Sequence, residues 1–134
     1  MQLTLPIPVS LILCDELVHA GRRKEHLFGL FDTVWANTFP HRLARLGVFV
    51  ALTGASGRYA TRVLCLGPDG QELFGSPLRS VQLEHAQRVT RVFLRLEGVV
   101  FRFPGIYRLQ LLCNNRLICE RPFNVLLKGG NGDV

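Results

Sequence analysis

The chain has 134 residues, of which 48% are hydrophobic and 19% are charged, and its net charge is +6 at pH 7. This length and composition suit one domain with a core of its own, which excludes a disordered chain. No apolar run approaches the roughly 20 residues that span a bilayer, and the N-terminal segment lacks the basic region of a signal peptide. We therefore expect a cytoplasmic protein with no membrane partner, whose four cysteines are buried, reduced thiols.

Short apolar runs separated by turn residues follow one another along the chain, which is typical of an all-β protein. Before the final hairpin, the predicted strands cover residues 9–14, 27–36, 46–52, 59–66, 71–74, 81–83 and 89–96. Residues 16–26 are polar and contain a glycine, so we expect a loop or a short helical turn there. None of the runs has the length and period of a helix of three turns.

The final hairpin is the strongest local pattern, because two apolar strands flank Asn114-Asn115. A two-residue turn at these asparagines pairs Cys113 with Arg116 and Gln110 with Cys119. This register places Cys113 and Cys119 on opposite faces of the hairpin, so we expect no disulfide bond between them.

Tyr107 opens the first strand of this hairpin, two residues after the turn glycine of Pro104-Gly105. A tyrosine at the start of a late strand is typical of the tyrosine corner of a β-sandwich. Eight or nine strands of this spacing favour an all-β, immunoglobulin-like sandwich of two antiparallel sheets. A closed barrel is the main alternative, since periodicity does not distinguish closure from stacking.

The same interpretation assigns the rest of the chain to one domain. Residues 1–128 form the sandwich, and the glycine-rich residues 129–134 form a flexible C-terminal tail. We expect Trp35, the only tryptophan, to lie at the centre of the core because it falls inside a predicted strand.

Several turn and core motifs resemble those of a bacterial family of small proteins that is known only as a domain of unknown function. The motifs are Leu13-Cys14-Asp15, Leu30-Phe31-Asp32-Thr33 with a downstream Phe39-Pro40, Pro68-Asp69-Gly70, and Pro104-Gly105-Ile106-Tyr107. The resemblance covers nearly the whole chain and implies an immunoglobulin-like sandwich with no known activity. Where such relatives carry an acidic or mixed loop after the first strand, this chain has Arg22-Arg23-Lys24.

The sequence carries no pattern that binds a metal or a cofactor or that performs catalysis. His19 and His26 lie near acidic residues, but their spacing matches no compact metal-ligand motif. Cys14 is the best candidate nucleophile, yet burial in an apolar strand raises the pKa of a thiol and makes it unreactive. We therefore predict a protein that is not an enzyme and that has no cofactor.

Alternating basic residues on three predicted strands form the candidate contact surface. In the strand at residues 89–96, Arg91, Phe93 and Arg95 share one face. Arg62 and Arg108 alternate in the same way on their own strands. If these strands are neighbours, one outer sheet face carries the four arginines around an exposed Phe93.

This surface suggests a binding or scaffolding module that contacts another protein, with Phe93 as the apolar anchor. The alternative is binding of nucleic acid or another anionic polymer through the same arginines, which requires a steep dependence on salt. A homodimer through a sheet edge or face is a third hypothesis. If the arginines only pair with nearby glutamates on a solvated face, the surface has no partner.

Overall fold

Eleven strands arranged in two packed sheets and one separate hairpin make up the described part of the chain, residues 4–22 and 24–129 of the computed structural model. The strands are β1 (Ile7–Cys14), β2 (Glu16–His19), β3 (Glu25–Phe28), β4 (Thr33–Ala36), β5 (His41–Thr53), β6 (Gly57–Leu66), β7 (Glu72–Gly75), β8 (Arg79–Leu83), β9 (Thr90–Phe101), β10 (Gly105–Cys113) and β11 (Arg116–Leu127). Within these ranges no helix is long and apolar enough to cross a membrane.

The first sheet has three antiparallel strands in the order β1-β5-β9. The second has six strands in the order β4-β11-β10-β6, with β7 and β8 each paired to part of the far side of β6. All its pairs are antiparallel except β4 with β11. The two sheets share no paired strand, so the fold is the predicted two-sheet sandwich and not a closed barrel.

The region after β1 differs most from the prediction. Residues 16–26, predicted as a loop, contain β2 and the start of β3, which pair only with each other as a hairpin. The predicted strand 27–36 is interrupted at Gly29, which adopts φ +68. A Cβ at Gly29 would lie 2.1 Å from Oδ2 of Asp15, so only glycine fits this bend.

The core lies between the two sheets and is filled by alternate residues of each strand. Its aromatic centre consists of Phe101, Tyr107 and Phe123, with ring centroids 5.1 to 6.0 Å apart. The Tyr107 hydroxyl donates a hydrogen bond of 2.6 Å to the carbonyl oxygen of Phe103. This bond confirms the predicted tyrosine corner and, with the sheet arrangement, the immunoglobulin-like class.

The final hairpin turns at Asn114-Asn115 as predicted, with φ angles of 50° and 63° that fit a two-residue turn. A β-bulge after Leu111 shifts the register, so Leu111 and not Gln110 lies opposite Cys119. Cys119 therefore packs against the core on the same side as Cys113, and the prediction of opposite faces is wrong. All four cysteines are free, three of them buried and Cys119 half-buried.

Trp35 is not in the core, and that prediction is wrong. It lies on β4, the short edge strand of the six-stranded sheet, where Val34 and Ala36 point inward. Alternation then turns Trp35 outward, and 41% of its surface is exposed. Residues 130–134 of the predicted C-terminal tail lie outside the described residues.

Candidate functional site

The five predicted contact residues lie on two different sheets. Arg91, Phe93 and Arg95 belong to β9 in the three-stranded sheet, whereas Arg62 and Arg108 belong to the six-stranded sheet. The alternation within each strand is as predicted, but the strands are not neighbours, because β9 pairs with β5 and β6 pairs with β10. The condition on which one continuous arginine face depended is therefore not met.

Arg62 and Arg108 lie apart on the outer face of the six-stranded sheet. Arg62 pairs with Leu112, four residues along β10 from Arg108, a separation of roughly 13 Å. The guanidinium of Arg62 lies against Gly75, where a Cβ would be 2.6 Å from Nη2. Between the two arginines, Gln110 donates a hydrogen bond of 2.7 Å to Glu120. These residues do not converge on a common ligand position.

The β2–β3 hairpin covers the outer face of the three-stranded sheet. Leu17 of the hairpin is buried with Phe49 and Ala51 of β5, and Leu27 packs against the same cluster. Phe93 is a half-buried member of this cluster and not the exposed anchor that the sequence suggests. Its ring lies over Gly47, where a Cβ would be 2.6 Å from Cζ of Phe93.

Two glutamates of the hairpin pair with the arginines beneath it. Oε1 of Glu16 accepts hydrogen bonds from Nε (3.0 Å) and Nη2 (2.8 Å) of Arg95. Its other oxygen lies 3.5 Å from Nη1 of Arg45, and Glu25 lies 3.1 Å from Nη1 of Arg91. The Arg95 guanidinium also lies 5.0 Å from the centre of the Phe93 ring. Charge pairing and apolar contact thus hold the hairpin in place.

The carboxylate of Glu16 is stabilised by these contacts. The backbone N–H of Leu17 donates to it at 3.0 Å, and this bond, followed by Arg95, lowers the pKa of Glu16 from its ordinary value. The hairpin therefore carries its negative charge at neutral pH against the arginines of the sheet.

An open cleft of about 280 Å³, which we call the arginine cleft, lies between the hairpin and β9. It is lined by Leu17, His19, Glu25, Phe49, Arg79, Arg91, Val92, Phe93 and Arg95. Arg79 comes from β8 of the other sheet, and its Nη1 donates a hydrogen bond of 3.1 Å to the carbonyl oxygen of Phe93. Arg79 thus spans the gap between the sheets at the edge of β9.

Sequence reasoning missed Arg79 and the two hairpin glutamates. Arg79 belongs to a short strand whose distance from β9 depends on how the two sheets pack. Glu16 and Glu25 fall in residues 16–26, which the sequence predicts as a loop and whose position relative to the sheets it does not define. No local pattern marks any of the three as a neighbour of Arg91 and Arg95.

The other chemical groups that the sequence suggests do not converge. In residues 4–22 and 24–129, no three His, Cys, Asp or Glu side chains lie close enough to share a metal ion. Burial, and then Asp15, raises the pKa of Cys14, and burial raises the pKa of Cys65 to about 12. Arg22 and Lys24 are exposed at the hairpin tip, while Arg23 lies outside the described residues.

The sequence model of a family of unknown function (DUF6941) matches residues 9–126. This match confirms the resemblance to a domain of unknown function and covers most of the 134 residues. No curated protein matches the chain in sequence.

Several solved structures contain a similar fold. An alkylpurine DNA glycosylase from Pseudomonas fluorescens, bound to DNA containing an abasic site analogue, aligns with a TM-score of 0.52 and 10% identity, over 71% of this chain and 27% of that one. A β-glucosidase from Listeria innocua, in complex with isofagomine, aligns with a TM-score of 0.50 and 11% identity, over 87% of this chain and 16% of that one. An immunoglobulin-like protein from Pseudomonas aeruginosa aligns with a TM-score of 0.45 and 18% identity, over 92% of this chain and 98% of that one.

The chain spans about a quarter of the glycosylase and about a sixth of the β-glucosidase. At 10% and 11% identity, these two alignments show a shared fold and nothing about a shared activity.

Proposed function

The chain belongs to the DUF6941 family, whose function is unknown, and we propose from its own geometry that it is a non-enzymatic module that binds an acidic segment of another protein in the arginine cleft. The observation that supports this proposal is that three arginines, Arg79, Arg91 and Arg95, line one open cleft. Guanidinium groups match the geometry of carboxylates and are enriched where proteins meet.

The charge of the cleft favours an acidic ligand. Three arginines line it, and Glu25 is the only acidic residue among its lining residues. Arg79 bonds to a backbone carbonyl, and no carboxylate of the described chain lies within 4.0 Å of its guanidinium. Glu25 and Glu16 pair with Arg91 and Arg95, so Arg79 is the arginine of the cleft that attracts a carboxylate from outside the chain.

The cleft also offers apolar area for binding. The half-buried Phe93 forms part of its wall beside the arginines, while Phe49 lies buried behind it. Arginine and aromatic side chains together carry much of the binding energy at protein interfaces. A partner that places an acidic residue and an apolar residue side by side suits this wall.

A protein ligand suits the cleft better than nucleic acid does. Glu16 and Glu25 lie directly beside the arginines and interrupt any row of positive charge that the successive phosphates of a nucleic-acid strand would follow. Arg62 and Arg108, which would have extended a phosphate track, lie on the other sheet. Nucleic-acid binding without sequence preference relies on a continuous basic groove, and the arrangement lacks one among the described residues.

The test is affinity capture with matched charge reversals. Tagged wild-type protein, Arg79→Glu and Arg108→Glu are each incubated with a nuclease-treated lysate of the source organism, and the captured proteins are quantified. Both variants change the charge by the same amount, but only Arg79 lines the cleft. We expect at least one captured protein to fall about tenfold with Arg79→Glu and to stay unchanged with Arg108→Glu.

Two results would overturn the proposal. One is equal loss with both variants, which would indicate a general charge effect, and the other is no protein that depends on Arg79. Binding that disappears with nuclease and falls steeply with salt would assign nucleic acid as the ligand instead. Thermal melting of both variants checks that Arg79→Glu leaves the fold intact.

A further inference from the structure

A second groove of about 400 Å³, which we call the Trp35 groove, lies on the side of the sandwich between β4 and the first half of β5. Its apolar wall is formed by Leu30, Phe31, Trp35 and Leu43. Asp15 and His41 supply polar groups at its border. An apolar groove with a few polar groups is the usual form of a binding site.

The backbone on one side of this groove has no strand partner. β1 ends at Cys14, which lies opposite Gly47 of β5. Residues 41–46 of β5 therefore pair only with β9, and no strand of the described chain lies on their other side. An unpaired row of N–H and C=O groups is a template for an added strand.

The backbone on the opposite side of the groove is also open. The carbonyl oxygen of Asp32 accepts a hydrogen bond of 2.9 Å from the backbone N–H of Asn124 on β11. That of Ala36 accepts one of 2.6 Å from the backbone N–H of Lys128. Because backbone groups alternate along a strand, those of Thr33 and Trp35 point away from β11. β4 is the edge of its sheet, so no strand of the described chain meets them. The groove thus runs between two unpaired edges.

The charge of the groove favours a cation. No Lys or Arg is among its lining residues. Arg42 and Arg45 belong to the same stretch of β5 but do not line the groove, and Arg45 pairs with Glu16. The carboxylate of Asp15 has no ion pair within 4.0 Å among the described residues. Trp35 lines the same groove, and the face of an indole ring attracts positive charge.

We propose that the Trp35 groove binds an extended segment of a partner protein that adds as a strand along residues 41–46 of β5. The segment places an apolar side chain against Trp35 and Leu43 and a Lys or Arg beside Asp15. A second copy of this chain fits less well, because a two-fold symmetric contact brings the two Asp15 carboxylates to the same interface. This partner differs in charge from the acidic ligand of the arginine cleft.

The first test selects ligands without assuming a partner. Phage-displayed random heptapeptides are panned on the full chain, with Asp15→Asn and Glu84→Gln as parallel targets. Both substitutions remove one negative charge, and Glu84 is exposed outside the groove. We expect enriched peptides that alternate apolar residues with Lys or Arg, and a loss of about tenfold in affinity with Asp15→Asn but not with Glu84→Gln.

The second test locates the bound peptide. A synthetic copy of the enriched peptide is titrated against the protein, and the emission of Trp35, the only tryptophan, is followed together with amide hydrogen exchange. We expect a saturable blue shift and slower exchange at residues 42–46 of β5. Arg79→Glu should leave this binding unchanged, which separates it from the arginine cleft.

Each contrary result has a defined meaning. Enrichment of no peptide, or of peptides without basic residues, overturns the proposal. Binding that shifts the Trp35 emission without slowing exchange in β5 overturns strand addition. A concentration-dependent dimer in light scattering that slows exchange at residues 42–46 without any peptide would identify a second copy as the occupant, which also overturns it.

Discussion

Tyr107 joins a local turn to the aromatic centre of the core. Its ring packs between Phe101 and Phe123, while its hydroxyl bonds to the carbonyl oxygen of Phe103 four residues earlier. Gly105 adopts φ +149, and a Cβ there would lie 2.5 Å from Pro68. The turn and the core position of Tyr107 thus depend on each other, since a displaced turn would remove the hydroxyl from its acceptor.

The hydroxyl of Tyr107 has a measurable share in stability. Tyr107→Phe keeps the ring contacts and removes the hydrogen bond, so we expect the free energy of unfolding to fall by about 1 kcal/mol. Urea denaturation followed by circular dichroism measures this change. Trp35→Phe is the control, because an exposed aromatic makes fewer packing contacts and should change stability by less than about 0.5 kcal/mol. An unchanged free energy of unfolding in Tyr107→Phe would show that the corner hydrogen bond contributes nothing.

At the scale of elements, the β2–β3 hairpin stands apart from both sheets of the sandwich. It forms a two-stranded sheet of its own, and such hairpins are marginally stable without packing. Leu17 and Leu27 supply its apolar contact, and Glu16 and Glu25 supply its ion pairs. Loss of the apolar contacts or of the ion pairs should therefore unfold the hairpin locally while the two sheets stay folded.

Removing the charge of Glu16 should loosen the hairpin alone. Glu16→Gln breaks the pairs with Arg95 and Arg45, so we expect faster amide exchange in β2 and β3 with no change in β10. Native-state hydrogen exchange followed by mass spectrometry measures both regions. The control is Glu84→Gln, which removes the same charge from an exposed position outside the hairpin and β10. If β2 and β3 exchange at the wild-type rate, the ion pairs do not hold the hairpin.

Acid should act on the hairpin through the same carboxylate. The pKa of Glu16 in the folded protein lies below its ordinary value of 4.5, first because of the Leu17 N–H and then because of Arg95. Its contribution is therefore complete above pH 4.5 and is lost as the pH falls through the folded value. We therefore expect amide exchange in β2 and β3, corrected for its intrinsic pH dependence, to become faster below pH 4.5 in the wild type. In Glu16→Gln the corrected rate should not change with pH. A parallel rise in both proteins would exclude Glu16 as the titrating group.

At the scale of the whole molecule, the core holds three thiols in their neutral form. Burial raises the pKa of Cys65 from 9.0 to about 12 and that of Cys113 from 9.0 to about 11. It also raises the pKa of Cys14, with a further contribution from Asp15. All three are buried, so ionisation of these thiols favours the unfolded chain.

Stability should therefore fall in alkali. Above pH 9.0 the unfolded chain loses thiol protons that the folded protein keeps until its raised pKa is reached. Unfolding then releases protons, and its free energy decreases as the pH rises, by at most about 1.4 kcal/mol per pH unit for Cys65. Urea denaturation under reducing conditions, from pH 9.0 towards the Cys65 value of about 12, measures the slope.

Two core substitutions separate titration from packing in this experiment. Cys65→Ala removes a titrating group, and Val63→Ala removes a buried apolar side chain from the same strand and face. We expect the alkaline slope to be shallower in Cys65→Ala and parallel to the wild type in Val63→Ala. Equal slopes in all three proteins would mean that the Cys65 thiol does not contribute to the pH dependence.

The arginine cleft and the Trp35 groove differ in how far the sequence predicts them. The sequence predicts the alternation of Arg91, Phe93 and Arg95 on β9, and both arginines line the arginine cleft. Arg79 and the hairpin glutamates were not predicted, because their positions follow from how distant strands pack. The outward position of Trp35 was predicted wrongly, since an apolar strand does not reveal whether it lies at an edge.

The sequence by itself determined the strands after residue 40, the Asn114-Asn115 turn, the tyrosine corner and the class of fold. These features follow from residues within a few positions of one another, where backbone preference and the two-residue period of side chains are decisive. The tertiary structure decided which strands are neighbours, how β2 and β3 fold back over Phe93, and which edges stay open. Those choices depend on contacts between residues far apart in the chain, whose free energies no local pattern encodes.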